Sequence, residues 1–315
     1  MAAGLRAARR RVIGAAGGVV LARGLAGALP ALPLAVAGGA ARAQDDKPFS
    51  PFITTPNNTV IRMLSIAAVG KDDHVIDLGS GDGRIPITAA LKFGASGFGV
   101  DLDAMLVELS NRNAAEAGVA ARVRFERGDV FAADVRKATV VTLYMLPPIV
   151  QGLRPVLLRQ LRPGSRIVSH DFPFDGWQAD ASETFFAQEK NNGRGGDSTV
   201  FLYVVPAEVH GRWALSLPGT AVEGLPAAPA ELRLVQFNQF LEAELDLARQ
   251  VLPVRDGRVA GDRIRFNTVL PARAGGPPAV PWQFEGRIEG DTMSGSARSD
   301  RGAEVRWQAR RTARR

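Results

Sequence analysis

The stretch VIDLGSGDGR, residues 75–84, joins a strand-like run to the start of a helix-like run. Gly79, Gly81 and Gly83 stand at alternate positions in the turn between the two runs. Because glycine has no side chain, the backbone N–H groups of such a turn can come close to a ligand, and the helix N-terminus adds further donors. A turn that only redirects the chain rarely needs three glycines. The stretch therefore predicts a ligand-binding loop at a strand-to-helix junction.

Two common phosphate-binding loops do not fit this stretch. A nicotinamide dinucleotide loop has the pattern G-x-G-x-x-G, but Arg84 stands where the third glycine belongs. A Walker loop requires Gly-Lys followed by Ser or Thr, and no such run follows the glycines. The loop therefore indicates a different ligand.

From residue 48 to about residue 205, short β-branched runs alternate with runs of helical period. This alternation predicts an α/β fold with βαβ units and a mostly parallel sheet. The strand-like runs are HVIDLG, SGFGVDLD, ARVRFERGD, ATVVTLYML and SRIVSHDF, and the helix-like runs are GRIPITAALKFG, AMLVELSNRNAAEAGV and PPIVQGLRPVLLRQLRPG. Two later strand-like runs, ETFFAQEK and DSTVFLYVV, flank the loop NNGRGGD and predict an antiparallel hairpin at the sheet edge.

Beyond residue 206 the helical period gives way to short alternating runs, which predict a second domain at 210–315. Their spacing favours a small antiparallel β-barrel or sandwich. One run, NQFLEAELDLARQVL, has a helix-like alternative. The segments GRW and RWQARR resemble the Gly-x-Trp and terminal Arg of lipocalin-like barrels, a resemblance that implies a pair between Trp213 and Arg310. Such a barrel holds an apolar ligand, presents a substrate, or is a filled and stabilising appendage.

Residues 1–44 have the features of a targeting segment. They contain six Arg and no acidic residue, and the small-x-small site Ala41-Arg42-Ala43 follows an apolar Gly/Ala/Leu-rich stretch. The sequence leaves three alternatives open: a cleaved export signal, a membrane anchor and an organelle transit peptide. We expect export to the periplasm or membrane association through this segment.

Charge and composition exclude several classes of function. The net charge of +7 falls to +1 once the six Arg of the targeting segment are removed, so no nucleic-acid partner is expected. The Arg-rich C-terminal tail is interpreted as solvated. The chain has no Cys, which excludes disulfides, thiolate zinc sites and cysteine nucleophiles. With three His, no metal site is predicted.

Three aspartates accompany the glycine loop in order along the chain. Asp77 lies two places before Gly79, Asp101 ends the next strand, and Asp129 follows the third strand. The G-x-G-x-G loop behind an acidic residue resembles motif I of the class I S-adenosylmethionine (SAM)-dependent methyltransferases. The resemblance implies SAM as the cofactor, with Asp101 accepting hydrogen bonds from the ribose hydroxyls and Asp129 from the adenine amino group. The alternative is that each aspartate caps a following helix.

A narrower resemblance covers residues 48–180. PFITTP, DLGSGDGRIPITAA, GVDLDAMLVELSNRNA, ATVVTLYMLPPI and LRPVLLRQLRPGSRIVSHDF are similar to the protein-lysine methyltransferase family that includes the enzymes acting on the mitochondrial ADP/ATP carrier and the ATP synthase c-subunit. The resemblance implies a Rossmann-like seven-stranded sheet and a segment, 52–56, folded over the methionine end of SAM with Thr55 as a hydrogen-bond donor. It places at the cofactor Asp77, the three glycines of the loop, and the neighbouring residues Ser80, Leu102 and Val130. It also makes residues 142–146 the wall at which the methyl group is transferred.

This resemblance predicts methyl transfer to a nucleophilic acceptor, with a protein lysine as the candidate. Because the sulfonium of SAM makes its methyl group electrophilic, the protein has to align the acceptor and exclude water. Tyr144 is the candidate aromatic beside the acceptor, with an ordinary core residue as the alternative. His170 and Asp171 are candidates to relay a proton or orient the substrate, with hydrogen bonding to a loop as the alternative. A second functional hypothesis is an exported binding protein on a methyltransferase scaffold with a ligand-binding β-barrel, since SAM is a cytoplasmic metabolite.

Overall fold

The computed structural model describes residues 52–217, 230–247, 250–270 and 278–314. These residues lie in one compact unit and form five helices and fifteen strands. The targeting segment predicted at 1–44 lies outside the described residues. No helix within the described ranges combines the length and apolar character that a membrane crossing requires.

The first seven strands form one mixed sheet in the order β3-β2-β1-β4-β5-β7-β6. The first five strands along the chain run parallel, and β7 runs antiparallel to both β5 and β6. Their bounds are β1 His74–Leu78, β2 Ser96–Asp101, β3 Val123–Arg127, β4 Val140–Leu143, β5 Arg166–His170, β6 Ala181–Ala187 and β7 Gly196–Val204. The predicted α/β class, the Rossmann-like sheet and the antiparallel edge hairpin are confirmed.

Helices cover both faces of this sheet because its strands carry apolar residues on both sides. The helices are α1 Asn57–Ile66, α2 Arg84–Phe93, α3 Ala104–Glu116, α4 Pro147–Gln160 and a four-residue turn, α5 Lys190–Gly193. Within β1, Val75 packs with α1 and α2, whereas Ile76 packs with α4. The sequence patterns predict α2, α3 and α4 but neither α1 nor α5.

The remaining strands close into an antiparallel barrel in the order β10-β11-β12-β13-β14-β15-β8-β9. Their bounds are β8 Gly211–Ser216, β9 Ala230–Phe237, β10 Phe240–Leu247, β11 Gln250–Ala260, β12 Arg263–Leu270, β13 Val280–Glu289, β14 Thr292–Ser299 and β15 Glu304–Ala313. The barrel interior is filled by buried side chains, among them the stacked rings of Phe266 and Phe284, whose centroids are 4.7 Å apart. Of the three roles left open for the barrel, this packing favours the filled appendage.

The helix-like alternative for the run that begins at Asn238 is wrong. Within the described residues, this run forms the β9–β10 turn, strand β10 and the start of β11. In β10, Leu241, Leu245 and Leu247 are buried while the acidic residues between them are not. That alternation has a period of two, which is the period of a strand with one buried face.

The predicted pair between Trp213 and Arg310 is wrong by one residue. Arg311 lies opposite Trp213 in the β8–β15 ladder, and its guanidinium is 4.3 Å from the indole centroid. Arg310 lies opposite Ala214 and is exposed. Because side chains alternate between the two faces of a strand, Arg310 points out of the barrel while Arg311 closes its end over the tryptophan.

Polar contacts join the barrel to the sheet. The Arg258 guanidinium is 2.7 Å from an Asp180 carboxylate oxygen, and Asn238 Nδ2 donates to the Gly176 carbonyl at 2.9 Å. Asn238 Oδ1 accepts from Arg154. The division into domains at 48–205 and 210–315 remains a prediction.

Candidate active site

The glycine loop lies where β1 ends and α2 begins. Gly79, Gly81 and Gly83 all have left-handed backbone conformations, with φ of 79°, 54° and 80°. Residues with a side chain rarely adopt such angles. A Cβ atom at Gly81 would lie 2.5 Å from the Phe52 ring, and one at Gly83 would lie 2.6 Å from the Phe125 ring. The left-handed conformation favours glycine at both positions, and packing against the buried Phe125 ring also requires it at Gly83.

Asp101 lies beside the loop at the end of β2. Its carboxylate accepts hydrogen bonds from the Gly81 N–H at 2.8 Å and the Asp103 N–H at 3.0 Å. The residue that caps α3 is Asp103, which accepts from the Met105 N–H at 2.8 Å. The alternative that Asp101 caps this helix is therefore wrong, and the Asp101 carboxylate is oriented toward the glycine loop.

Asp77 is buried beneath the same loop. Its Oδ1 accepts a hydrogen bond of 2.6 Å from the hydroxyl of Thr142, the residue opposite it on β4. Burial raises the pKa of Asp77 to about 7, against the effect of the Thr142 hydrogen bond, and the nearby charges of Asp101 and Asp82 raise it further. Asp77 therefore links β1 to β4.

Asp129 follows β3. The family resemblance also assigns to the cofactor Leu102 and Val130, which follow Asp101 and Asp129 in the chain and differ in burial. Asp129 accepts from the Phe131 N–H at 2.9 Å in a turn. Leu102 is exposed next to Asp101, and Val130 is half-buried against the apolar cluster that includes α4. Their assignment to the cofactor remains a prediction.

The segment before α1 covers the glycine loop. The Phe52 ring lies against Gly81, and Thr55 is buried. Arg84 ties the two parts together because it donates to the Thr55 carbonyl at 2.8 Å and to the Asp82 carboxylate at 2.6 Å. Sequence reasoning identified Arg84 only as a missing glycine. The signal in the sequence that could have indicated the ion pair is the position of Arg84 two residues after Asp82.

Tyr144 and His170 lie together at the carboxyl edge of the sheet, where β4 and β5 end. Their ring centroids are 3.9 Å apart. Burial, and then the negative charge of Asp171, raise the pKa of Tyr144 to about 12, so its phenol stays neutral. The next residue, Met145, contacts Gly79: a Cβ built there would be 3.3 Å from Met145 Cε. The structure thus places the Tyr144 segment beside the glycine loop.

His170 and Asp171 complete this cluster. His170 is fully buried and its Nε2 is 3.2 Å from the Ser198 hydroxyl, while Nδ1 has no hydrogen-bond partner among the residues that the structure describes. Burial lowers the pKa of His170, so the imidazole is neutral at neutral pH. Asp171 accepts from the Thr199 N–H at 3.0 Å and binds the ammonium of Lys190 at 2.7 Å.

Comparison with known proteins identifies the first half of the chain. Residues 77–181 match the family model of the ANTKMT methyltransferase domain. A protein-lysine N-methyltransferase from Saccharolobus islandicus is 39% identical over 159 residues, which are 50% of this chain and 95% of that protein. The chain belongs to this methyltransferase family.

The matches to two other family members cover a smaller share of those proteins. The adenine nucleotide translocase lysine N-methyltransferase of Mus musculus is 33% identical over 41% of this chain and 56% of that protein. The ATP synthase c-subunit lysine N-methyltransferase of Homo sapiens is 32% identical over 42% of this chain and 55% of that protein. The chain thus spans little more than half the length of these two relatives. A solved RNA methyltransferase from Salinibacter ruber, in complex with S-adenosyl-L-homocysteine, is 46% identical over 50% of this chain and 96% of that chain, with a TM-score of 0.45.

As a member of this family, the chain is a SAM-dependent methyltransferase. The glycine loop fits such a cofactor in two respects. The N-cap residue of α2, Gly83, has no side chain to bond the first N–H groups of the helix, and the buried Ser80 hydroxyl has no hydrogen-bond partner within the described part of the chain. That the loop backbone and the carboxylate of Asp101 hold the cofactor remains a prediction.

Proposed function

We propose that this methyltransferase transfers the methyl group of SAM to the ε-amine of a lysine in a protein. Bound SAM supplies an electrophilic methyl group. The observation that carries the proposal is the cluster of Tyr144, His170 and Asp171 beside the glycine loop, in which the Asp171 carboxylate already holds a lysine ammonium. Relatives named as protein-lysine N-methyltransferases support the same acceptor. The family relationship disfavours the hypothesis of an exported binding protein.

Each member of the cluster has a distinct task in this proposal. Asp171 pairs with the ammonium of the acceptor and orients it, as it does with Lys190. The neutral ring of Tyr144 forms an apolar wall that excludes water. The neutral imidazole of His170 supports that ring without adding a positive charge that would repel the acceptor.

The acceptor amine must lose a proton before it attacks. A free lysine amine has a pKa of about 10.4, and removal from water favours its neutral form. The apolar side chains around the cluster, including Phe172 at 6.4 Å from the Tyr144 ring centroid, provide that environment. The Asp171 carboxylate by itself favours the charged amine, so the apolar surroundings have to outweigh it before the proton leaves to water.

A methyl-transfer assay with isotope-labelled SAM tests this function. The purified full-length chain is incubated with methyl-labelled SAM and with separate protein and RNA fractions, and each fraction is hydrolysed and analysed for labelled products. We expect label in methyl-lysine and in no other amino acid or nucleotide. An Asp101→Ala variant that is folded but does not bind SAM by calorimetry provides the control. Label in RNA, or in another amino acid, would contradict the proposed acceptor.

We also propose that residues 1–44 direct the chain to a membrane. Because SAM is cytoplasmic, catalysis requires the folded enzyme to remain on the side that holds SAM. Reporter fusions after residues 44 and 315, active on only one side of the membrane, test this arrangement. Both reporters are expected to report the compartment that contains SAM, and a periplasmic signal from the second fusion would contradict it.

A further inference from the structure

The β6–β7 hairpin brings its turn to the carboxyl edge of the sheet. The last paired residues of the hairpin are Ala187 and Gly196, and further along β7 Val200 pairs with His170, the last residue of β5. Since β7 runs antiparallel to β5, the turn at 188–195 lies at the edge where the parallel strands end. That edge also carries the glycine loop and the cluster of Tyr144, His170 and Asp171.

Lys190 in this turn reaches into the cluster. Its Nζ is 2.7 Å from Asp171 Oδ2 and also donates to the Asp197 carbonyl, and only 17% of its side chain is exposed. Lysine is rare in this chain, where it provides five of the 39 Lys and Arg residues. Lys71 offers a comparison: its Nζ is 2.8 Å from Asp72, but 81% of its side chain is exposed.

The backbone around Lys190 is fixed on both sides. Before it, the Glu189 carboxylate accepts from the Asn57 N–H at 3.0 Å, at the start of α1. After it, Asn191 and Asn192 adopt left-handed conformations, with φ of 54° and 59°, and the Gly195 N–H donates to the Lys190 carbonyl at 3.0 Å. Asparagine is one of the few residues with a side chain that adopt this conformation readily, so both positions suit a tight turn. Glu189 is therefore joined to the helix that follows the loop-covering segment 52–56, and Lys190 to the acceptor cluster.

We propose that Lys190 is an intramolecular methyl acceptor, so that this methyltransferase modifies its own β6–β7 hairpin. The inference rests on the proposed function, because it identifies the ammonium at Asp171 with the ammonium of an acceptor lysine. The Nζ lone pair forms a bond to the methyl carbon, the bond between that carbon and sulfur breaks, and its electrons stay on the sulfur of the departing S-adenosylhomocysteine. One proton leaves Nζ to water. The product keeps its positive charge and its ion pair.

A cofactor-free measurement tests the position of Lys190. Limited acetylation of the full-length chain, followed by peptide mass spectrometry, compares the reactivity of Lys190 with that of the exposed Lys71. We expect Lys190 to react several-fold more slowly, and to lose much of this protection in Asp171→Asn. If Lys190 in the wild type reacts as fast as Lys71, the proposal is overturned.

Incubation with SAM tests the modification itself. We expect peptides containing Lys190 to gain the mass of one or more methyl groups while those containing Lys71 do not. The modified fraction is expected to grow at a rate independent of protein concentration, because transfer occurs within one molecule. Lys190→Arg removes the acceptor and keeps the charge, and Lys71→Arg is the matched control. Both variants are expected to bind SAM in calorimetry as the wild type does.

The outcomes separate this inference from the proposed function. If a foreign protein gains methyl-lysine and Lys190 stays unmodified, self-methylation is overturned and the proposed function stands. If SAM binds but neither acceptor is methylated, both proposals are overturned. A modified fraction whose rate rises in proportion to protein concentration shows transfer between molecules and overturns the intramolecular route.

Discussion

At the scale of single residues, Gly81 carries two constraints at once. Its φ of 54° is unfavourable for a residue with a side chain, and an added Cβ would lie 2.5 Å from the Phe52 ring. The left-handed conformation alone costs an L-residue roughly 1–2 kcal/mol, and the displaced ring opens the segment over the loop. We therefore expect Gly81→Ala to weaken SAM binding at least about tenfold, which corresponds to about 1.4 kcal/mol.

Calorimetric titration of SAM measures this effect, and two other glycines provide its controls. A Cβ at Gly70 would meet nothing within 4 Å, and Gly118 combines a φ of 69° with the same open space. Gly70→Ala should leave SAM binding unchanged, and Gly118→Ala should lower stability without changing affinity. Equal affinity in Gly81→Ala and wild type would show that the covering of the loop is not part of the cofactor site.

Asp77 makes stability depend on pH in the direction opposite to most aspartates. Its pKa in the folded protein is raised from 3.8 to about 7 by burial, so between these values the folded state binds the proton more tightly than the unfolded state does. The contribution of Asp77 is therefore favourable at low pH and is lost as the pH rises toward 7. The loss has an upper limit of about 4 kcal/mol, since each pKa unit corresponds to about 1.4 kcal/mol.

Urea unfolding at several pH values measures this contribution against Asp77→Asn, which cannot titrate. We expect the free energy of unfolding of the wild type to fall relative to that of Asp77→Asn between pH 4 and pH 7. Asp134→Asn, a change at an exposed aspartate, corrects for the general effect of removing a carboxylate. A constant difference between wild type and Asp77→Asn across this range would show that Asp77 keeps its ordinary pKa.

The residues most accessible to sequence reasoning are those whose identity the backbone dictates. The three alternate glycines predict a loop at a strand-to-helix junction, and the structure gives all three a left-handed conformation that few other residues adopt. Arg84 and Arg311 were not assigned correctly, since an arginine is compatible with almost any exposed position. Their roles depend on partners such as Thr55 and Trp213, which are brought near by tertiary structure alone.

At the scale of secondary-structure elements, Arg84 connects α2 to the segment before α1. Replacing it with Met keeps helix propensity but removes the hydrogen bond to the Thr55 carbonyl and the ion pair with Asp82. We expect Arg84→Met to raise the Kd for SAM several-fold and to speed amide hydrogen exchange in residues 52–56, because that segment is then held less firmly.

The chain offers a matched control for this variant. Arg136 pairs with Asp134 at 2.6 Å and with the same spacing of two residues, but the pair is exposed and lies far along the chain from the covering segment. Arg136→Met should change neither SAM binding nor exchange in residues 52–56. If Arg84→Met behaves like Arg136→Met, the segment is positioned by the Phe52 ring and the buried Thr55 instead.

The elements were predictable in proportion to the regularity of their patterns. The central strands β1, β4 and β5 carry nearly continuous apolar runs because helices cover both faces of the sheet, whereas the edge strand β3 alternates buried and exposed residues. The helix-like reading at Asn238 failed because a short run with two leucines four residues apart, Leu241 and Leu245, fits a helical period as well as an alternating one. The barrel decides between them, since β10 finds ladder partners in β9 and β11.

At the scale of the whole molecule, the contacts between sheet and barrel come from residues far apart in the chain. Asn238 bonds the Gly176 carbonyl, and Gln239 donates to the Gln178 carbonyl at 2.6 Å. Sequence patterns reveal periodicity within an element but not which polar side chain meets which carbonyl across such distances. The α/β half and the β half were therefore predictable, whereas the way in which they contact each other was not.

The ion pair between Arg258 and Asp180 is the contact whose loss should matter most for this arrangement. The Asp180 side chain is only 12% exposed and also accepts from the Val204 N–H at 2.8 Å, so removal of Arg258 leaves a poorly solvated carboxylate at the junction. Breaking a fully buried pair costs about 3–5 kcal/mol, but Arg258 is 29% exposed, so we expect Arg258→Met to lower the free energy of unfolding by about 1–3 kcal/mol.

Urea unfolding followed by tryptophan fluorescence measures the change. Arg298→Met, which removes an exposed pair with Glu304, is the control and should cost less than about 0.5 kcal/mol. Equal stability of the two variants would mean that water solvates Asp180 freely and that the ion pair contributes nothing measurable to the contact between barrel and sheet.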